Sequence, residues 1–239
     1  MKAIILAAGQ ASRLRPITKN TPKCLLKIKG TSIIDHQVDT LYKNGINEII
    51  VVVGFRSKKI IDYLVNHHHE IKFHFIFNKK FKETKAAYSL WLARKYLKDP
   101  VLYLNSDVFF SPEIIKNIIK SKNSSVTAIQ RVPWDEEEVN VITQKNMQII
   151  EIGKHIDEKL SCGEFIGITK LGKEFNKNLI KTLDYFIKKK EYQKFAADAI
   201  NLAIKNYGGK IYALDVTSWP AIEIDTIDDF KRAQEMKKI

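Results

Sequence analysis

The stretch Ala3-Ile4-Ile5-Leu6-Ala7-Ala8-Gly9-Gln10-Ala11-Ser12-Arg13-Leu14-Arg15-Pro16, with Pro22-Lys23-Cys24-Leu25 just beyond it, decides the reading of this chain. It opens as a continuous apolar run, the pattern of a strand buried on both faces of a parallel sheet. The run ends in Ala7, Ala8 and Gly9. These residues are small enough for a flat ring or a phosphate to approach the backbone, and their free N–H groups can face an anion. Arg13 and Arg15 add planar, permanently charged forks that suit phosphate oxygens, and Lys23 adds a third cation. Together these parts imply a site for a nucleoside triphosphate, with Leu6, Ala7, Ala8, Gly9, Ser12, Arg13 and Lys23 as expected contacts. The stretch is neither Gly-x-x-x-x-Gly-Lys-Ser/Thr nor Gly-x-Gly-x-x-Gly, so it is not one of the common nucleotide loops.

At 239 residues, with 45% hydrophobic and 28% charged residues, the chain has the composition of an ordinary globular protein. No run of eighteen apolar residues is present, so no membrane span is expected. The first residues enter a strand at once, which points to cytoplasmic residence. Two cysteines, Cys24 and Cys162, imply a reducing compartment and no disulfide framework. The formal charge of +13 comes from lysines scattered through the chain. No basic stripe interleaved with aromatics accompanies them, so the charge is read as attraction to small anionic substrates, and no nucleic-acid partner is expected.

Further along, Ser32–Tyr42 has helical spacing with Ser32 as N-cap, and Glu48–Val53 is a second buried strand. A helix is expected over Ser57–Val65, a strand over Phe73–Phe77, and a helix over Thr84–Leu97 with Ala87, Leu90, Trp91 and Ala93 inward. Val101–Leu104 is a strand running into Asn105-Ser106-Asp107, and Ser111-Pro112-Glu113 starts another helix. Strands alternating with helices imply a parallel sheet, whose ligands sit at the carboxyl ends of its strands. After residue 123 the pattern changes. Strands at Val126–Arg131, Asn140–Thr143, Gln148–Ile152 and Glu164–Lys170 follow one another and imply an antiparallel lobe. Helices are then expected near 172–189 and 192–206, followed by a strand at Lys210–Leu214. Ile222-Glu223-Ile224-Asp225 returns to the first half, and Thr226 caps a last helix. The expectation is one domain, residues 1–239, with a nucleotide-binding lobe at about 1–122 and 220–239 and an acceptor lobe at about 123–219.

Asp107 and Asp225 both follow apolar strands. Two carboxylates at strand ends are hard oxygen ligands of the kind Mg²⁺ requires. Each also precedes a helix, where a cap or turn role is the plainer alternative. His67-His68-His69 is read as a solvated helix-to-strand loop, because adjacent residues on an extended segment point to opposite faces.

LAAGQASRLRPIT followed by TPKCLL resembles the opening of the sugar-nucleotidyltransferase superfamily. The resemblance implies an α/β fold of nucleotide-diphospho-sugar transferase type: a Rossmann-like, mostly parallel sheet flanked by helices, with a small antiparallel acceptor lobe. It also implies that Lys23 reaches the phosphates, that Lys154 stands near the reacting phosphate, and that Asp107 and Asp225 hold the metal. Tyr88-Ser89-Leu90-Trp91-Leu92-Ala93, Asn105-Ser106-Asp107-Val108, Glu151-Ile152-Gly153-Lys154, Gly163-Glu164-Phe165-Ile166-Gly167 and Ile222-Glu223-Ile224-Asp225-Thr226 resemble one branch, the phosphocholine cytidylyltransferase-like proteins. That branch implies CTP as donor, a small phosphorylated alcohol or phosphonate as acceptor, Mg²⁺ as cofactor, and allows a homodimer.

Catalytic roles are therefore expected at Arg13, Lys23 and Lys154. Lys85, Ala86, Ser106 and Asp107 complete the expected nucleotide contacts. Trp134, Lys154, Glu164, Trp219 and Glu223 are the expected acceptor contacts. Trp134, Trp219 and Phe165 offer π-faces to a quaternary amine, with packing beside Pro220 the alternative for Trp219. Four departures from the resembled pattern stand out. Ala11 replaces a glycine, which is tolerable at negative φ and strained otherwise. Lys85 and Ala86 replace two asparagines near the base. Asn140 replaces a lysine after the acidic run, and Ala196-Ala197-Asp198 replaces Tyr-Glu-Asp. A sugar 1-phosphate acceptor with UTP, dTTP or GTP, and a non-catalytic nucleotide-binding regulatory protein, are the competing readings.

Overall fold

In β1 (Lys2–Ala7), alternate side chains enter two different hydrophobic clusters: Ile4 and Leu6 one, Ala3, Ile5 and Ala7 the other. A strand buried this way needs helices on both faces of its sheet. The computed structural model describes residues 1–236. Residues 237–239 of the expected nucleotide-binding lobe lie outside the described residues.

After β1 come the short hairpin β2 (Lys27–Ile28) and β3 (Thr31–Ser32), then α1 (Ile33–Lys43), β4 (Glu48–Val53) and α2 (Ser57–His67). Next are β5 (Lys72–Phe77), α3 (Ala86–Leu92), β6 (Val101–Asn105), β7 (Val108–Phe110) and α4 (Pro112–Lys120). The second half runs β8 (Val126–Gln130), β9 (Asn140–Thr143), β10 (Ile149–Gly153) and β11 (Glu164–Leu171). It ends with α5 (Lys173–Lys188), α6 (Ala196–Tyr207), β12 (Tyr212–Asp215), β13 (Ala221–Glu223) and α7 (Ile227–Glu235). Among the described residues no helix is long and apolar enough to cross a membrane.

Strands β6, β1, β4 and β5 lie side by side in that order and are parallel. β11 joins the β6 edge antiparallel and carries β8 and β9 with it, so the antiparallel strands extend the same sheet. Helices α3, α5 and α6 pack on one face through Leu90, Leu179 and Ile200. Helices α1, α2 and α4 pack on the other through Val38, Leu64 and Ile115. The result is an α/β fold with a mostly parallel central sheet.

Local chemistry explains most helix ends. Ser32 caps α1 by accepting from the Asp35 N–H, and Thr226 and Asp229 form a reciprocal capping box at α7. The expected helix over Thr84–Leu97 is divided. Its first amides are claimed from outside, Lys85 N–H by the Tyr192 carbonyl and Ala87 N–H by the Lys194 carbonyl. After Ala93 the chain tightens into a 3₁₀ turn, Arg94–Lys98. Trp91, expected inward, is half-buried. Its Nε1 donates to Asp184, and the Arg94 guanidinium lies 4.0 Å from its ring. Ser111 occupies the N-cap of α4 without a side-chain capping bond.

The histidine run also departs from expectation. His67 and His69 are exposed, but His68 turns inward and is only 5% exposed. Its Nε2 lies 2.9 Å from Asp35 Oδ1, while the Tyr63 hydroxyl donates to Asp35 Oδ2 at 2.6 Å. Asp39 and Glu70 add negative charge at 3.6 and 3.9 Å from His68 Nδ1. The Asp35 bond raises the His68 pKa above 6.5, against the opposing effect of burial. Burial acts to raise the Asp35 pKa, but the bonds from His68 and Tyr63 outweigh it and hold it below 3.8. A raised histidine pKa stabilises the fold below 6.5 and loses that contribution as pH rises through the folded value. A lowered aspartate pKa contributes above 3.8 and loses its effect as pH falls. His68→Gln is therefore expected to cost about 1–2 kcal/mol near pH 5. In urea unfolding measured across pH, its deficit against wild type should narrow above pH 6.5 and below pH 3.8.

Candidate active site

A third hydrophobic cluster draws the two ends of the chain together. Leu14, Leu26, Ile28 and Ile33 from the N-terminal region pack with Phe109 and with Ile224 and Ala233 from the C-terminal segment. β13 pairs antiparallel with β7, Glu223 opposite Val108, and the Ile224 N–H donates to the Asp107 carbonyl at 3.0 Å. This register sets Asp225 beside Asp107. The turn holding Asp107 is braced from below by Gln37, which is fully buried on α1. Its Nε2 donates to the carbonyls of Asn105 and Val108, both at 2.9 Å.

Lys23 closes the arrangement. Its Nζ lies 2.8 Å from Asp107 Oδ2 and 2.7 Å from Asp225 Oδ1. Arg13 donates to the other oxygen of Asp225 at 2.6 Å. Burial favours loss of the Lys23 proton, but the charges of Asp107 and Asp225 outweigh it and hold the pKa above the ordinary lysine value. Asp225, although burial opposes ionisation, is held below the usual carboxylate range by Lys23 and Arg13. Glu223 completes a group of three carboxylates. One oxygen of each of Asp107, Glu223 and Asp225 lies within 4.8 Å of the others. Burial, and then the charges of Asp107 and Asp225, push the Glu223 carboxyl well above its ordinary value. Asp107 Oδ1 is buried and has no hydrogen-bond partner among the described residues. A buried, unsatisfied carboxylate oxygen beside two further carboxylates is a donor set suited to a divalent cation with oxygen preference.

The cluster opens into a cleft of about 450 Å³ at the carboxyl ends of the parallel strands. All eleven residues expected at the nucleotide line it: Leu6, Ala7, Ala8, Gly9, Ser12, Arg13, Lys23, Lys85, Ala86, Ser106 and Asp107. Arg15 is exposed and is not among the lining residues. The floor is tight, because a Cβ on Gly54 would stand 2.7 Å from the Ala8 carbonyl oxygen. Cys24 also lines the cleft, but burial pushes its thiol up to about 12, which removes it as a nucleophile near neutral pH.

The expected acceptor contacts divide. Glu223 lines the cleft, within the carboxylate group, while Trp134, Lys154, Glu164 and Trp219 are not among its lining residues. Lys154 Nζ donates to the Glu137 carbonyl. Trp134 is 37% exposed, and its Nε1 donates to the Ile156 carbonyl at 3.2 Å. Trp219 is half-buried and packs against the cluster of β1 and α1. Burial and the charges of Glu138 and Asp135 raise the Glu164 carboxyl to about 7. Burial is also the main cause of the raised Glu138 pKa. Asp135, Glu138 and Glu164 thus form an acidic cluster, with Lys154 and Arg232 as opposing charges nearby.

Sequence reading did not find Asn78, Phe81, Lys82, Gln193 and Phe195 as lining residues. Nothing in the local pattern around Gln193 and Phe195 signals a ligand, since they reach the cleft only through the docking of residues 190–195 against α3.

Compared with known proteins, residues 2–219 match the profile of the Nucleotidyl transferase family. A CTP:phosphoglutamine cytidylyltransferase of Campylobacter jejuni is 28% identical over 75% of this chain and 76% of its own length. A choline-phosphate cytidylyltransferase of Streptococcus pneumoniae is 27% identical over 100% of this chain and 99% of its own. Among solved structures, the CTP:phosphocholine cytidylyltransferase from Streptococcus pneumoniae superposes with a TM-score of 0.80 at 24% identity, covering 98% and 97% of the two chains. The inositol-1-phosphate CTP transferase of T. maritima gives 0.81 at 21% identity, covering 100% and 98%. These two superpositions show the shared fold.

The loop above the carboxylates carries strain at one position. Ala11 has φ 48° and ψ 50°, the left-handed region. Its carbonyl accepts from Thr18 Oγ1 at 2.7 Å and from the Leu14 N–H at 3.2 Å, so the surrounding contacts hold it there. A left-handed alanine costs about 1–2 kcal/mol, part of which glycine returns as unfolded-chain entropy. Ala11→Gly is expected to stabilise the protein by about 0.5–1 kcal/mol, read as a raised Tm in calorimetry.

Proposed function

Because this chain belongs to the nucleotidyl transferase family, we propose that it transfers a cytidylyl group from CTP to a small phosphorylated alcohol or phosphonate, releasing pyrophosphate. The observation that carries the reading is the convergence of Arg13 and Lys23 with Asp107, Glu223 and Asp225 at one end of the nucleotide-sized cleft. The choice of CTP and of a phosphorylated acceptor is supported by the two cytidylyltransferase relatives.

An oxygen of the acceptor phosphate attacks the α-phosphorus of CTP, and the bond to the β-phosphate oxygen breaks in line. The acceptor is already an anion near neutral pH, so neither a protein nucleophile nor a general base is required. The inert Cys24 thiol agrees with this. Ala7, Ala8 and Gly9 bring their backbone against the nucleotide, and Arg13 neutralises phosphate oxygens. Asp107, Asp225 and Glu223 would hold Mg²⁺, which when bound supplies charge neutralisation on the phosphates. In the ion-paired state the Lys23 ammonium occupies the carboxylates that a cation needs. Lys23, were its carboxylates to hold the cation instead, would be within reach of the triphosphate. The negative patch of Asp135, Glu138 and Glu164 favours an acceptor with a positively charged group beyond its phosphate. Lys154, which pairs with Glu137 outside the cleft, would have to leave that contact to meet the acceptor phosphate.

Pyrophosphate release should be greatest for CTP in a panel of CTP, UTP, dTTP and GTP against phosphocholine, aminoethylphosphonate, inositol phosphate, phosphoglutamine and glucose 1-phosphate. Highest turnover with UTP or dTTP and glucose 1-phosphate would instead establish the sugar reading. Asp107→Asn is expected to lower kcat/KM at least about 100-fold. Mn²⁺ binding without nucleotide, read by water-proton relaxation, separates two roles at the cluster. It should weaken at least about tenfold in Glu223→Gln, and it should tighten in Lys23→Gln because the competing ammonium is gone.

A further inference from the structure

The base end of the cleft is built from both halves of the chain. Sheet order puts the β1 loop between the turn after β6, which carries Asp107, and the loop after β5, which leads to Lys85. A triphosphate held on the β6 side would leave the β5 side of the cleft for its base. There the cleft is lined by Lys85 together with Gln193 and Phe195 from the segment ahead of α6.

That segment is firmly seated. Lys85 N–H donates to the Tyr192 carbonyl at 2.9 Å, and Ala87 N–H to the Lys194 carbonyl at 3.1 Å. Gln193 Nε2 donates to the Glu83 carbonyl at 2.6 Å. A carbonyl accepts only from the NH₂ end of an amide, so this bond fixes which way the Gln193 amide faces. Its Oε1 has no protein hydrogen-bond partner among the described residues. Phe195 is 44% exposed and lies with its ring 5.4 Å from the Lys85 ammonium. The wall therefore offers an amide whose NH₂ end is already committed, a donor-only cation and a partly exposed ring with that cation over it.

Resting on the nucleotidyl-transfer reading above, we propose that Gln193 selects the nucleobase by accepting a hydrogen bond from the exocyclic amine of cytosine, with Phe195 as the stacking face. Cytosine offers an amine where uracil offers a carbonyl oxygen. Against Gln193 Oε1 the first is a hydrogen bond, and the second sets two acceptors face to face. Lys85 donates to the pyrimidine O2, which both bases share, and so adds affinity without discrimination. Specificity then comes from the segment at 190–195, and the residues at 85–86 alone do not set it.

The test is steady-state kcat/KM for CTP and for UTP, with nucleotide affinity by calorimetry, on the whole chain. Gln193 and Phe195 are both exposed, so Gln193→Leu and Phe195→Ala are expected to fold, and their melting curves check this. Wild type should prefer CTP. Gln193→Leu should shrink the CTP-to-UTP ratio about tenfold, mainly through loss with CTP. Phe195→Ala should weaken both nucleotides by about tenfold with the ratio kept. A merely structural role for Gln193 would lower both nucleotides alike, and an unchanged ratio in Gln193→Leu would overturn the proposal while leaving cytidylyl transfer standing. Wild-type preference for UTP would overturn it too. Failure of wild type to bind any nucleoside triphosphate would overturn both readings together.

Discussion

A single ammonium group organises the site. Lys23 bridges Asp107 and Asp225, residues that lie far from it and from each other in the chain, and it does so in a half-enclosed place where a lone charge would be costly. Without the cation, three carboxylates would stand within 4.8 Å of one another, and their mutual repulsion would have to be relieved by protonation or by a metal. Burial, and then the charges of Asp107 and Asp225, keep the Glu223 pKa raised even with Lys23 in place. The resting protein thus keeps its negative cluster assembled with its own side chain. The same charge density makes the cluster receptive to a divalent cation.

That clasp depends on packing that carries no charge. The cluster of Leu14, Leu26, Ile28, Phe109 and Ile224 brings the N-terminal loop against the returning C-terminal segment. Pairing of β13 with β7 then fixes the register, and a one-residue slip would turn Glu223 and Asp225 to the opposite face. Gln37 braces the other side from within the core. Hydrophobic burial supplies the driving force, while directional hydrogen bonds set the positions to within tenths of an ångström.

The two sides of the cleft differ in character. Around Lys23 the chemistry is electrostatic and suits phosphates, which all nucleoside triphosphates share. The wall formed by Lys85, Gln193 and Phe195 offers donors, acceptors and a ring, the features by which bases differ. The acidic cluster of Asp135, Glu138 and Glu164 forms a third environment in an otherwise strongly basic chain. A molecule with a phosphate at one end and a cationic group at the other matches the step in potential between them.

The sequence by itself determined the apolar strands, the capped helices, the parallel arrangement and the small-residue loop that lines the cleft. Those features follow from short-range periodicity and from residue types that tolerate few alternatives. Helices whose ends are local, such as α1 with its Ser32 cap, were legible to within a residue. The helix around Trp91 was not, because its first amides are taken by residues a hundred positions away. His68 could not be told from its neighbours, since only the packing of α1 against α2 supplies its partner Asp35. The sign of φ at Ala11 was likewise undecided until Leu14 and Thr18 closed on its carbonyl. Glu223 as the third carboxylate, and Gln193 and Phe195 in the cleft wall, were settled only by tertiary structure. Each owes its place to strand register or segment docking, and such long-range pairings leave no periodic trace in the residues themselves.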